Sequence, residues 1–215
     1  MLEVGKVYTK PEMTHILGTK AKQGIDRKLE RYGITFSVSG KGERAVYEIQ
    51  KIRDPFKVFA ITELGFDAST DFRKLRNFYF YYFNDEEFMA MPDEVKESRM
   101  RKEGKDISRQ TIANYTAKLE AHDLINRYSP DYIYYFAYKG EQRIVQREEY
   151  SKAWREYWAN REDGMDYFET INFMIATYGG VARKQAIPQI NGIYNKQIEY
   201  MLSLIQQSIE NELAG

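Results

Sequence analysis

Cysteine is absent from this 215-residue chain, which excludes disulfides, cysteine-ligated zinc and thiol catalysis. Histidine is scarce: His15 and His122 offer no His-x-His pair to hold a metal for a nicking reaction. His122 falls near the end of a helical pattern, on its packed side, and reads as structural. Gly40-Lys41-Gly42 and Gly179-Gly180 lack the Gly-Lys-Ser/Thr spacing of a phosphate loop. No apolar run approaches a membrane span, and Met1-Leu2-Glu3-Val4-Gly5 does not open a signal peptide. A cytoplasmic protein is expected, without cofactor, metal or membrane partner, and not an enzyme. An excess of charge is missing too, since 32 Lys and Arg balance 32 Asp and Glu.

What is present marks a globular chain. Hydrophobic residues make up 43% and charged residues 30%, a mixture that can bury a core. Charge is unevenly spread. Residues 1–53 carry 11 Lys and Arg against 6 Asp and Glu, whereas residues 148–215 carry 6 against 10. A basic front and an acidic tail suit a reader of polyanions attached to a body with another job.

Residues 1–53 read as one unit. Val4–Tyr8 has the pattern of a short strand. Thr9-Lys10-Pro11-Glu12 then starts a helix, with Thr9 as cap, Pro11 in the first turn and Glu12 completing a capping box. Met13, Ile16 and Leu17 face inward, and Gly18-Thr19 breaks the helix. A second helix runs from Lys20 to Tyr32, with Ile25 and Leu29 on one face, and Gly33 stops it. Ile34–Val38 and Arg44–Ile49 alternate like strands around a Ser39-Gly40-Lys41-Gly42 turn.

Residues 54–147 read as a second unit, with Asp54-Pro55 as its boundary. Phe72, Leu75, Tyr79, Tyr82 and Phe83 form an apolar stripe, expected to be its first core helix. Lys96, Arg99, Arg101, Lys102 and Lys105 make a basic run that Glu97, Glu103 and Asp106 dilute, either a solvated face or a phosphate contact. Ser108 caps a helix in which Ile112, Tyr115, Leu119 and His122 recur at helical spacing, closed by Leu124-Ile125. The other face carries Arg109, Gln110, Ala113, Asn114 and Lys118. Tyr132–Tyr138 reads as a strand, Lys139–Gln142 as a turn and Arg143–Gln146 as the return strand.

Helix, turn, helix and hairpin, twice over, resembles the winged helix-turn-helix family of DNA-binding proteins. The tandem layout is similar to that of plasmid replication initiators and regulators. The expected fold is α+β and mostly helical, with two winged helix-turn-helix units and a C-terminal helical region over 148–215. The resemblance implies a second helix in the major groove and a hairpin on the adjacent backbone. Arg pairs with guanine, and Asn and Gln with adenine, so Arg109, Gln110 and Asn114 become candidate base readers. Lys118, Lys139 and Arg143 would clamp phosphate. The equivalents in the first unit are Lys20, Lys22, Gln23, Arg27 and Lys28 on the helix, with Lys41 and Arg44 at the wing.

In the tail, Tyr150, Trp154, Tyr157 and Trp158 mark one helix. Phe168, Ile171, Ile175 and Tyr178 mark another, ended by Gly179-Gly180. Pro188 can start a third, whose stripe of Ile190, Tyr194, Ile198, Met201, Leu202, Ile205 and Ile209 has much of the spacing of a coiled-coil seam. It packs either on its own domain or in a homodimer. Tyr81-Tyr82 and Tyr134-Tyr135 lie in apolar patterns and read as core and half-core rather than nucleophiles. Asp85-Glu86-Glu87 reads as a cap or a solvated face. Tyr132, Tyr134 and Tyr135 are the aromatics open to stacking on single-stranded bases.

The function expected is sequence-specific binding of double-stranded DNA, as a transcriptional regulator or as a replication or partition initiator of a plasmid, phage or conjugative element. The alternative is an interaction module or inhibitor that docks on a host nucleic-acid enzyme, since one fold hosts both roles.

Overall fold

The structure, a computed structural model, describes residues 2–19, 22–126 and 130–214, and at 22 and 23 the backbone alone. The protein is α+β and mostly helical. Its first elements are β1 (Val7–Thr9), α1 (Lys10–Leu17), α2 (Lys22–Tyr32), β2 (Ile34–Ser39), β3 (Val46–Ile52) and α3 (Pro55–Thr62). There follow α4 (Phe72–Asn84), α5 (Glu86–Ala90), α6 (Asp93–Lys102), α7 (Arg109–Ala121) and β4 (Ile125–Asn126). The chain continues with β5 (Tyr132–Tyr138), β6 (Glu141–Val145), α8 (Arg147–Glu162), α9 (Tyr167–Tyr178), β7 (Val181–Ala186), β8 (Gln189–Ile190) and α10 (Asn195–Leu213). Two compact units result, Met1–Phe80 with Ile193–Gly215, and Tyr81–Gly192. They cut across the divisions 1–53, 54–147 and 148–215 expected from the sequence, because the tail is shared out between them.

In the first unit, strand, helix, helix and hairpin follow one another as the sequence pattern predicts. Thr9 and Glu12 close the capping box: Glu12 Oε2 accepts from the Thr9 backbone N–H at 2.7 Å, and the Thr9 hydroxyl accepts from the Glu12 N–H at 3.4 Å. Gly18 ends α1 in the left-handed conformation. Antiparallel pairing gives the sheet order β1-β3-β2. At the hairpin turn Gly40 has a positive φ, and a Cβ there would meet the Arg44 carbonyl oxygen at 2.5 Å, so no other residue fits. Met13, Leu17, Ile25, Leu29, Tyr47 and Ile49 form the core.

The sequence reading of Asp54-Pro55 as a boundary needs correction. Asp54 caps α3, accepting from the Lys57 N–H at 2.9 Å, and Pro55 occupies the first turn, where its missing N–H costs nothing. The apolar face of α3 is covered by α10. Ser208 accepts from the Phe56 N–H at 3.0 Å in a buried contact, Phe59 meets Tyr200 edge-on, and Arg76 pairs with Glu212. Ile198, Met201, Leu204 and Ile205 are buried there, so this part of the seam-like stripe packs on its own unit, whereas Pro188 starts no helix and Ile190 lies in β8.

In the second unit α6 packs on α7, and β4 pairs with β8. The β5–β6 hairpin forms where expected, on a tight turn whose residues Lys139 and Gly140 both have positive φ. It does not stand alone as a wing. β7 pairs along the other edge of β5, giving the order β6-β5-β7. Phe136, Val145 and Ala182 then form a core with Ala153 and Tyr157 of α8 and Met174 of α9. Gly180 permits the close approach, because a Cβ would lie 2.8 Å from the Ala137 nitrogen. Asp85 caps α5, accepting from the Phe88 N–H at 2.9 Å, as the reading of that acidic cluster anticipated.

Candidate nucleic-acid interface

The helix expected to read bases is α7. Ser108 caps it, accepting from the Thr111 N–H at 3.3 Å. Ile112, Tyr115, Thr116 and Leu119 turn inward, and His122 sits half-buried at the C-cap. Gln110 and Asn114 are exposed one turn apart, and the Gln110 amide donates to Asn114 Oδ1 at 3.1 Å. Ala117 and Ala121 continue that exposed face, while Lys118 is half-buried on its flank. Small side chains here let a helix approach another surface closely. The first carboxylate along α7 is Glu120, near its C-terminal end.

Other candidate residues fare differently. Lys20 lies outside the described residues, as do the side chains of Lys22 and Gln23. Arg27, Lys41 and Arg44 are exposed. Lys28 is not available as expected: its ammonium donates to the Leu17 carbonyl at 2.6 Å, satisfying an acceptor at the open end of α1. Arg143 is likewise committed. Its guanidinium donates to both oxygens of Glu149, at 2.8 and 3.3 Å, and to the Tyr178 carbonyl at 3.1 Å. Its hydrogen bonds to the Glu149 carboxylate raise its pKa further. Sequence alone could not show that α8 brings Glu149 beside the hairpin. Lys139 stays exposed at the turn, 5.1 Å from the Tyr138 ring centre. Of the aromatic stacking candidates, Tyr132 is exposed, whereas Tyr134 packs on Tyr150 and Tyr135 is buried.

Beside α7, within the second unit, lies a polar cavity of about 450 Å³. Strand alternation makes its floor. Tyr134 and Phe136 turn towards α8 and α9, so Tyr135 points the other way, and its β7 partner Arg183 shares that face. Tyr82 of α4 and Pro92, Asp93, Glu94 and Lys96 at the start of α6 form one wall, and Arg109 and Thr116 of α7 another. Arg109 and Thr116 are two helical turns apart and share a flank. Arg109 is therefore exposed as expected, yet it borders the cavity rather than standing squarely beside Gln110 and Asn114.

Lys96 is the residue that sequence reasoning misjudged most. Placed in a surface basic run, it is instead 1% exposed. Its ammonium lies 3.7 Å from Asp93 Oδ1 and 5.2 Å from the Tyr82 ring centre. One signal was present: Lys96 precedes the buried Met100 by a helical turn, on the inward side of α6. Burial raises the pKa of the Tyr135 hydroxyl, and the Arg183 charge partly opposes the shift. Among the described residues, neither Arg109 nor Arg183 forms an ion pair.

Among the described residues no cluster of His, Cys, Asp or Glu is placed to hold a metal ion, and no helix is long and apolar enough to cross a membrane. Comparison with protein-family models, with curated proteins and with solved structures finds no match.

Proposed function

We propose that this chain binds double-stranded DNA in a sequence-dependent manner, as a regulator or as a replication or partition initiator of a mobile element. The observation that carries the reading is the outer face of α7: a capped, rigidly backed helix presenting Gln110 and Asn114 among alanines, with no carboxylate before Glu120. Amide side chains of this kind recognise adenine in the major groove. Arg27, Lys41 and Arg44 supply exposed cations on the first unit for phosphate contact. Two such units on one chain raise the effective concentration at a second half-site.

Fluorescence anisotropy with random and selected duplexes at two salt concentrations tests this. Affinity should fall steeply with salt, since phosphate binding releases counterions. Replacing Gln110 and Asn114 by Ala should cost roughly 1–3 kcal/mol of preference for the selected sequence per lost contact, with random-duplex affinity retained. Absence of binding at low salt overturns the proposal. A second reading, docking on another protein, is favoured by one feature: Trp158, Met165, Tyr167 and Phe168 are all exposed around the α8–α9 connection, Phe168 to 74%. Under that reading the duplex titration is flat.

A further inference from the structure

We propose that Asn191 is a site of self-modification: the folded chain converts it, through a succinimide ring closed by the Gly192 nitrogen, into isoaspartate and aspartate. The reaction needs only water, whatever the protein binds.

The sequence offers two places for such a ring. Of nine asparagines only Asn191 precedes a glycine, and of the aspartates only Asp163 does. Glycine matters because the attacking atom is the next residue's backbone nitrogen, and without a Cβ that nitrogen can swing onto the side-chain carbonyl. The fold separates the two places. At Asp163, the C-cap of α8, the Gly164 N–H donates to the Arg161 carbonyl at 3.2 Å, and that bond holds the nitrogen. Gly192 is exposed, and among the described residues its N–H donates to nothing. Its surroundings are open as well, since even a Cβ there would meet no atom within 4 Å. Asn191, by contrast, is anchored by its own N–H, which donates to the Leu124 carbonyl at 3.1 Å. The nucleophile can therefore move against a residue whose backbone is fixed.

Base removes the Gly192 amide proton, and the nitrogen attacks Asn191 Cγ. The new N–Cγ bond forms, the Cγ–Nδ2 bond breaks, and Nδ2 takes up a proton and leaves as ammonia. Water then opens the ring. Addition at Cγ gives aspartate, and addition at the main-chain carbonyl gives isoaspartate, whose backbone runs through Cγ and is one methylene longer. The place is sensitive to such a change. β8 has two residues, the bond from Asn191 to Leu124 extends its pairing with β4, and the chain passes to the first unit at Ile193.

Peptide mapping by mass spectrometry of the full chain, incubated at neutral and at mildly alkaline pH in heavy-oxygen water, tests the site. Conversion of the Asn191 amide to an acid with uptake of one solvent oxygen is expected, together with an isoaspartyl fraction. It should run faster at the higher pH, because the attack needs the deprotonated amide. The same chain in urea is the reference: folding should suppress isomerisation at Asp163 and leave most of the rate at Asn191. Gly192→Ala, which the open surroundings accommodate, should slow conversion roughly tenfold or more, about 1.4 kcal/mol of added barrier. The proposal is overturned if Asn191 stays intact in the folded chain while the unfolded chain converts it, or if Gly192→Ala converts at the native rate. In a second arm, the separated isoaspartyl form should exchange the amide hydrogens of β4 and β8 faster than Asn191→Asp, which carries the charge on an ordinary backbone. Equal exchange overturns the effect of the longer backbone and leaves the modification itself standing.

Discussion

Tyr178 shows how one side chain can set a pH limit on the fold. Its hydroxyl donates to Glu156 Oε2 at 2.7 Å, and desolvation together with that neighbouring carboxylate pushes its pKa up to about 12. An acid whose folded pKa exceeds its unfolded value of about 10 contributes stability that is complete below pH 10. That contribution is lost as pH rises towards 12, because the unfolded chain then ionises first. Urea unfolding midpoints between pH 9 and 12 should fall more steeply for the native chain than for Tyr178→Phe. Parallel slopes would show that ionisation of Tyr178 is not the source of the loss. Residues like this are hard to read from sequence, since Tyr178 and Glu156 lie on successive helices whose packing brings them together. Lys96 and Arg143 are likewise set by packing: a charged residue type predicts an exposed, unengaged side chain, yet Lys96 is buried, and Arg143, though still exposed, is held by Glu149 of α8.

At the scale of elements, local signals were the most legible. Thr9, Ser108 and the Gly18 and Gly33 stops sit where the chain is punctuated, because caps and left-handed glycines act on groups within a turn of themselves. The inward stripe of α7 follows from spacing alone. β7 was not legible: Val181–Ala186 has no strand-like alternation, and its pairing comes wholly from the open edge of β5. α3 was hidden by its Asp-Pro start, which reads equally as a linker. The bond between α3 and α10 gives a direct test. Ser208→Ala leaves the Phe56 N–H buried without its acceptor, and a loss of roughly 1–3 kcal/mol in unfolding free energy is expected. A change within measurement error would mean that the bond contributes little to holding the two helices together.

The whole molecule depends on a return of the chain. Ile193–Gly215 joins the N-terminal unit, although more than a hundred residues separate them along the chain. Truncation after Gly192 should therefore expose the apolar face of α3, seen as binding of a hydrophobic dye and loss of the near-ultraviolet circular dichroism of the first unit. A truncated chain with an unchanged spectrum and no dye binding would show that α10 is dispensable. By itself the sequence determined the helical periodicities, the caps, both hairpins and the polar outer face of α7, all of which depend on residues within a few positions of one another. Tertiary structure alone decided the third strand beside β5, the covering of α3, the capture of Lys28 and Arg143, and the enclosure of Lys96 beside Arg109 and Arg183. Those outcomes depend on which distant surfaces meet, and no local pattern of charge or apolarity encodes that meeting.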